Sequence, residues 1–167
     1  MRAPQILALL ITVTLLAGCG FQLRGREGMP FKSVYLDTPN PKSLLVNELR
    51  RDLESNKVML ADTAEHADVV LNIISENPNK QILTLSSSGR VTEFRLLYRV
   101  SLRAYDHNKQ DWIPAEVMEL HRDFFYDDTL VLAKESEESL LSKSMRIEMA
   151  DQIVRRLGRA KPQPQPQ

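Results

Sequence analysis

The sequence holds one cysteine, Cys19, among its 167 residues. A single cysteine excludes an internal disulfide, a cysteine-built metal site and a redox pair. Neither sign of charge is in excess, because 22 basic residues face 22 acidic ones. That balance excludes the broad basic footprint of a nucleic-acid binder. His66, His107 and His121 stand apart, without metal-ligand spacing. No Gly-rich phosphate loop, dinucleotide fingerprint or G-x-S-x-G elbow occurs. His121-Arg122-Asp123 matches the opening of a kinase catalytic loop, but the Gly-rich loop, strand lysine and metal-binding aspartate of that chemistry are lacking. Asp127-Asp128 and Glu137-Glu138 read as carboxylates at helix starts, where the dipole favours them, rather than as acid–base pairs. The chain therefore reads as a non-enzymatic protein with no cofactor, no metal and no nucleic-acid partner.

A long hydrophobic run is missing too. The most apolar stretch, Ile6 to Ala17, is 12 residues long, whereas a membrane-spanning helix needs roughly 20. Arg2 precedes it, and Leu16-Ala17-Gly18-Cys19 closes it. A short positive start, a short apolar core and small residues before a cysteine make a lipoprotein signal peptide over residues 1–18. Cys19 then becomes the new N-terminus, carrying S-diacylglycerol and N-acyl chains. Several acyl chains hold a protein firmly where one does not. Gly20 stands where aspartate would retain a lipoprotein at the inner membrane in enterobacterial-type sorting, so the outer membrane is the expected location.

Beyond a tether over residues 19–31, the pattern alternates between strand and helix. Ser33 to Leu36 reads as a strand. Asn40-Pro41 reads as a helix start with Asn40 as the cap, and Leu45, Leu49 and Leu53 mark one helical face ending at a left-handed Asn56. Val58 to Leu60 and Val69 to Ile73 read as strands, the second ended or interrupted at Pro78. Extended structure resumes over Gln81 to Ser86, and Ser87-Ser88-Gly89-Arg90 reads as a hairpin turn. From Phe94 to Ala104 apolar residues alternate with Arg95, Arg99 and Arg103, so one strand face is core and the other carries three arginines. Val117–Tyr126 reads as a further strand, with Glu119, His121 and Asp123 on the face opposite Met118, Leu120 and Phe124. If the two strands are neighbours, those acids neutralise much of the arginine stripe. Residues 135–157 form a second helix with Leu141, Met145, Met149, Ile153 and Leu157 as its stripe, Leu140 and Val154 beside it, and Gly158 just past its end. The expected fold is α+β: a two-layer sandwich, with two helices packed on one face of a mostly antiparallel or mixed sheet of about four strands. Residues 32–158 form the domain, and 159–167 a disordered Pro/Gln tail.

Cys19-Gly20-Phe21-Gln22-Leu23-Arg24 resembles the start of the LptE family of lipopolysaccharide (LPS)-assembly lipoproteins, whose members often carry Cys-Gly-(aromatic)-(His or Gln)-Leu-Arg there. Arg122-Asp123-Phe124-Phe125-Tyr126, then Leu132-Ala133-Lys134 and a long amphipathic helix, add to the resemblance, as do the Ser88-Gly89-Arg90 turn and the strand after it. The similarity covers most of residues 19–158. It implies a protein that sits inside the outer-membrane β-barrel LptD, helps it assemble and binds LPS at the last step of delivery to the cell surface. An LPS binder needs cations for the lipid A phosphates. Two stand out: Arg90 at a hairpin tip, and Lys134 near a helix start, where the dipole disfavours a cation. The alternative is a pilotin-like or transport-auxiliary lipoprotein of another envelope complex. Replacing the sole lipid acceptor, Cys19→Ala, is expected to abolish incorporation of radioactive fatty acid. Equal label in the variant would refute the lipoprotein reading.

Overall fold

The structure is a computed structural model that describes residues 28–163. The signal peptide, Cys19 and the tether up to Glu27 lie outside the described residues, as do residues 164–167 of the tail. Strand β1 (Ser33–Asp37) leads to helix α1 (Leu44–Ser55), a two-residue strand β2 (Met59–Leu60) and a short 3-10 turn at Ala64–His66. Three long strands follow, β3 (Val69–Leu85), β4 (Val91–Asp106) and β5 (Asp111–Phe125), and then helix α2 (Val131–Arg159). The sheet order is β2-β1-β3-β4-β5, with β1 parallel to both its neighbours and β3-β4-β5 antiparallel. Both helices pack against one face of this mixed sheet. The expected α+β architecture is therefore present, with five strands rather than about four.

The core forms where the predicted stripes meet. Leu45, Leu49 and Leu53 of α1 and Met145, Met149, Ile153 and Leu157 of α2 are buried against Val34, Leu71, Ile73, Val100 and Leu102 of the sheet. Leu140, expected beside the α2 stripe, is exposed instead, and Leu141 is partly buried.

Several boundaries differ from expectation for local reasons. The α1 cap is Ser43, not Asn40: the Ser43 hydroxyl accepts from the Val46 N–H at 3.1 Å, and Asn40 starts the turn before it. At the other end Asn56 is not left-handed; Lys57 is, with φ of 63°. The Lys57 N–H donates to the Glu54 carbonyl and the Val58 N–H to that of Leu53, the two bonds that close a helix through a left-handed residue. Pro78 does not interrupt β3 but pairs in register with Tyr98. Since β1 pairs only as far as Asn72, Pro78 lies on a free edge, where a missing N–H is tolerated. β5 begins six residues before the expected Val117; a bulge opposite Leu102–Ala104 breaks its alternation around Pro114 and returns Ile113 to the core.

Helix α2 starts at Val131, four residues early, behind Leu130, which offers no side-chain cap. Asp127 shapes the preceding turn by accepting from the Thr129 N–H and hydroxyl, so neither it nor Glu137 and Glu138, a turn inside the helix, is a cap. Gly158 lies within the last turn, where a Cβ would meet the Met29 sulfur at 3.4 Å. Residues at both ends of the expected domain have contacts. Phe31 is buried with its ring edge-on to Trp112, and the Gln163 N–H donates to the Asp111 carbonyl at 2.8 Å.

One carboxylate fixes the parallel edge. Asp68 accepts from the backbone N–H groups of Lys32 (2.8 Å) and Ser33 (3.0 Å), while the Ser33 hydroxyl accepts from the Asp68 N–H. The Lys32 and Ser33 bonds hold the Asp68 carboxyl below the usual aspartate range. A depressed folded value contributes stability above the unfolded pKa and loses it as pH falls through the folded one. Asp68→Asn is expected to lower Tm at pH 7 by roughly 2–4 °C. The gap to the parent should close below about pH 4, as followed by circular dichroism.

Candidate functional site

The far end of the β3–β4 hairpin is the place where an exposed arginine, a half-buried lysine and exposed apolar groups meet. Its turn is the expected one: Gly89 has φ of 79°, and the Ser86 N–H donates to the Arg90 carbonyl. A left-handed residue at the third loop position suits glycine. Next to this turn lies the loop between β5 and α2. Arg90, 73% exposed at its side chain, approaches Asp128 at 3.4 Å. Lys134, 19% exposed, pairs with Glu137 at 2.8 Å. Its charge also helps to hold the Asp127 carboxyl low, after the larger effect of the Thr129 bonds. Arg90 and Lys134 thus flank one loop, each with an acidic neighbour. The unfavourable helix-end field at Lys134 is offset by Glu137 and Asp127.

What sequence reasoning missed is the apolar half of this end. Leu132 is 82% exposed and Phe125 71%, with Ile82, Leu83, Leu85 and Leu130 also open to solvent. Register explains the convergence: Ile82 faces Phe94, Leu85 faces Val91, and Phe125 faces Glu93, all within a few residues of the turn. No periodic stripe in the sequence carries that information, because the residues come from three separate elements.

The tip is stitched to α2 by an aromatic cluster. The Phe94 ring stacks on Phe124 at 5.8 Å and meets Tyr126 edge-on at 5.1 Å. Lys80 Nζ sits 4.1 Å from the Phe94 ring centre and pairs with Glu138. The Arg122-Asp123-Phe124-Phe125-Tyr126 run therefore has divided duties. Arg122 bonds Glu148 of α2, Asp123 bonds Arg95, Phe124 and Tyr126 build the cluster, and Phe125 points outward.

The arginine stripe is neutralised within the sheet. Arg95 grips Asp123 with two bonds of 2.7 and 2.8 Å, Arg99 holds Glu119, and Arg103 holds Asp111 at 2.6 Å. The bond from Arg95 keeps the Asp123 carboxyl low, and Asp123 in turn raises the Arg95 guanidinium. A larger cleft of about 660 Å³ lies between the α1 start, the free edge of β3 and α2. Its inward acids are engaged: Glu76 accepts from the Tyr98 hydroxyl at 2.7 Å, and burial first, then that bond, pushes the phenol up. Among the described residues no group of histidine, cysteine or acidic side chains could hold a metal.

This fold and this sequence have known counterparts. The lipopolysaccharide-assembly family LptE matches residues 31–157. The chain belongs to the LptE family. The LPS-assembly lipoproteins LptE of Yersinia pestis (strain Pestoides F) and of Yersinia pseudotuberculosis (serotype O:1b) are each 32% identical over 158 residues, covering 92% of this chain and 75% of theirs. Among solved structures, lipoprotein B of Nitrosomonas europaea is similar at 33% identity and a TM-score of 0.71, covering 81% of this chain and 88% of its own. Rare lipoprotein B of Shewanella oneidensis is similar at 30% identity and a TM-score of 0.66, covering 74% and 91%. An LptE-family chain is an envelope lipoprotein of LPS assembly and not an enzyme, which favours the assembly role over a pilotin-like one. For the ladder in this LptE-family sheet, a double-mutant cycle on Arg95→Ala and Asp123→Ala is expected to give a coupling of about 0.2–1 kcal/mol that salt reduces. Urea unfolding at two ionic strengths measures it.

Proposed function

We propose that the chain is an outer-membrane lipoprotein, acylated on Cys19, that binds LPS at its hairpin tip and works in complex with an LptD-type β-barrel. The observation that carries this reading is the joining of Arg90, Lys134 and an exposed apolar cluster at one end of the molecule. Lipid A presents phosphates beside acyl chains, and a binding surface for it needs cations next to apolar groups. In the free protein Asp128 and Glu137 occupy the two cations. A phosphate bound there replaces a carboxylate and offers more acceptor oxygens and more charge. Leu132 and Phe125, already exposed, lose apolar area to water when an acyl chain covers them.

The test uses the detergent-solubilised lipoprotein. Changing Arg90 and Lys134 together to Asp is expected to weaken LPS binding at least about tenfold, the loss of one well-made charged hydrogen bond. The corresponding Gln pair should show the same direction without new repulsion against Asp128 and Glu137. Tm of the Gln pair should move little, and the barrel should still co-purify. Unchanged LPS affinity in both folded variants would refute the site. Loss of the barrel with LPS binding intact would assign these residues to the protein interface.

A further inference from the structure

The opposite end of the molecule carries a different surface. There α2 finishes with Arg155, Arg156 and Arg159 exposed, and Lys161 follows. These four cations border a shallow depression of about 610 Å³ whose floor includes Trp112 and Met118, and no carboxylate lines it. Arg155 is paired with Asp151 and Arg156 with Glu116, both outside the depression. Arg159 and Lys161 have no acidic partner among the described residues. The field at a helix C-terminus favours basic residues in the last turn. It does not account for Lys161, which lies beyond the helix, or for a depression free of acids beside apolar side chains.

The same end receives the chain from its N-terminal side. Met29 lies against Gly158, and Phe31 against Trp112. From Cys19 to Glu27 there are nine residues, which span at most about 30 Å in any conformation. The hairpin tip is much farther away, since the 16 residues of β4 run from beside Arg90 to Asp106 at the basic end, about 50 Å.

We propose that the Arg155–Lys161 depression docks on the anionic phospholipid headgroups of the membrane that holds the Cys19 lipid. The inference rests on the lipid-anchor reading above. Basic residues near an anionic leaflet are attracted to it, each contributing modestly within a Debye length. A tether of this length keeps the patch at high local concentration, so weak attraction suffices. Long basic side chains can reach phosphates while Trp112 and Met118 lie against the headgroup region.

Trp112 is the only tryptophan in the sequence and lines this depression, so it reports on the contact. The acylated protein is reconstituted in phosphatidylcholine vesicles, with or without phosphatidylglycerol, containing a dansyl-headgroup lipid. Energy transfer from Trp112 should be at least about threefold greater with phosphatidylglycerol and fall away in roughly 1 M salt. Arg159→Glu with Lys161→Glu should reduce it to the neutral-vesicle level at unchanged Tm. Equal transfer in both vesicle types, or an undiminished signal in the folded variant, overturns the docking. Mass spectrometry of the Cys19 peptide separates the two ideas. A lipidated protein with a silent Trp112 refutes the docking alone, whereas an unlipidated Cys19 refutes both.

Discussion

The structure depends on a mismatch of lengths between its two layers. β3 is 17 residues long, yet it is buried only at Val69, Val70, Leu71 and Ile73. α1 has only 12 residues, and its buried leucines share one core with that part of the sheet. The hairpin must therefore extend past its own core, and only α2, 29 residues or about 43 Å long, runs beside it. What holds the extension is local: the Phe94, Phe124 and Tyr126 rings, Lys80 above them, and the ion pairs to Glu138 and Glu148. Removing one of these groups acts on the tip and leaves the seam of leucines and methionines at the base intact.

The parts legible in the sequence were those with a strong period. Leucines every four residues gave α1, and the Phe94–Ala104 alternation gave β4. The charge pattern pointed to Glu119 and Asp123 as partners of the arginines, because an arginine and an acid on matching faces of adjacent strands need only the right register to meet, while Asp111, the Arg103 partner, lies before the expected strand. Boundaries set by one local bond were not legible. Asn40 looks like the cap, and only the backbone path shows that Ser43 supplies it. Pro78 looks like a strand end unless it is known that β1 stops at Asp37 and leaves the edge bare. The start of α2 carried no signal, since Leu130 supplies no capping oxygen.

The candidate site was half legible. Arg90 and Lys134 could be picked out as cations at a turn and a helix start, and Glu137 lies one turn from Lys134, but the acid beside Arg90 could not, because Asp128 meets it across 38 residues of sequence. The apolar cluster was hidden for a related reason. Leu85, Phe125 and Leu132 each look like ordinary core candidates in their own segments. They remain exposed because the hairpin outruns the layer that would have buried them.

The open face of the sheet adds a constraint on any partner that covers it. Its arginines are already paired with Asp123, Glu119 and Asp111 through short hydrogen bonds. An apolar wall would strip water from those pairs and return nothing for it, a net cost. A polar wall can supply hydrogen bonds to the oxygens and guanidinium nitrogens that the ladder leaves unfilled. The lumen of a transmembrane β-barrel is polar, in contrast to its lipid-facing outside. The self-neutralised ladder is therefore better matched to the inside of a barrel than to a lipid surface, and it has little net charge to steer it toward either. Strong charge and apolar exposure are left to the two ends of the molecule, where contacts with lipid are proposed.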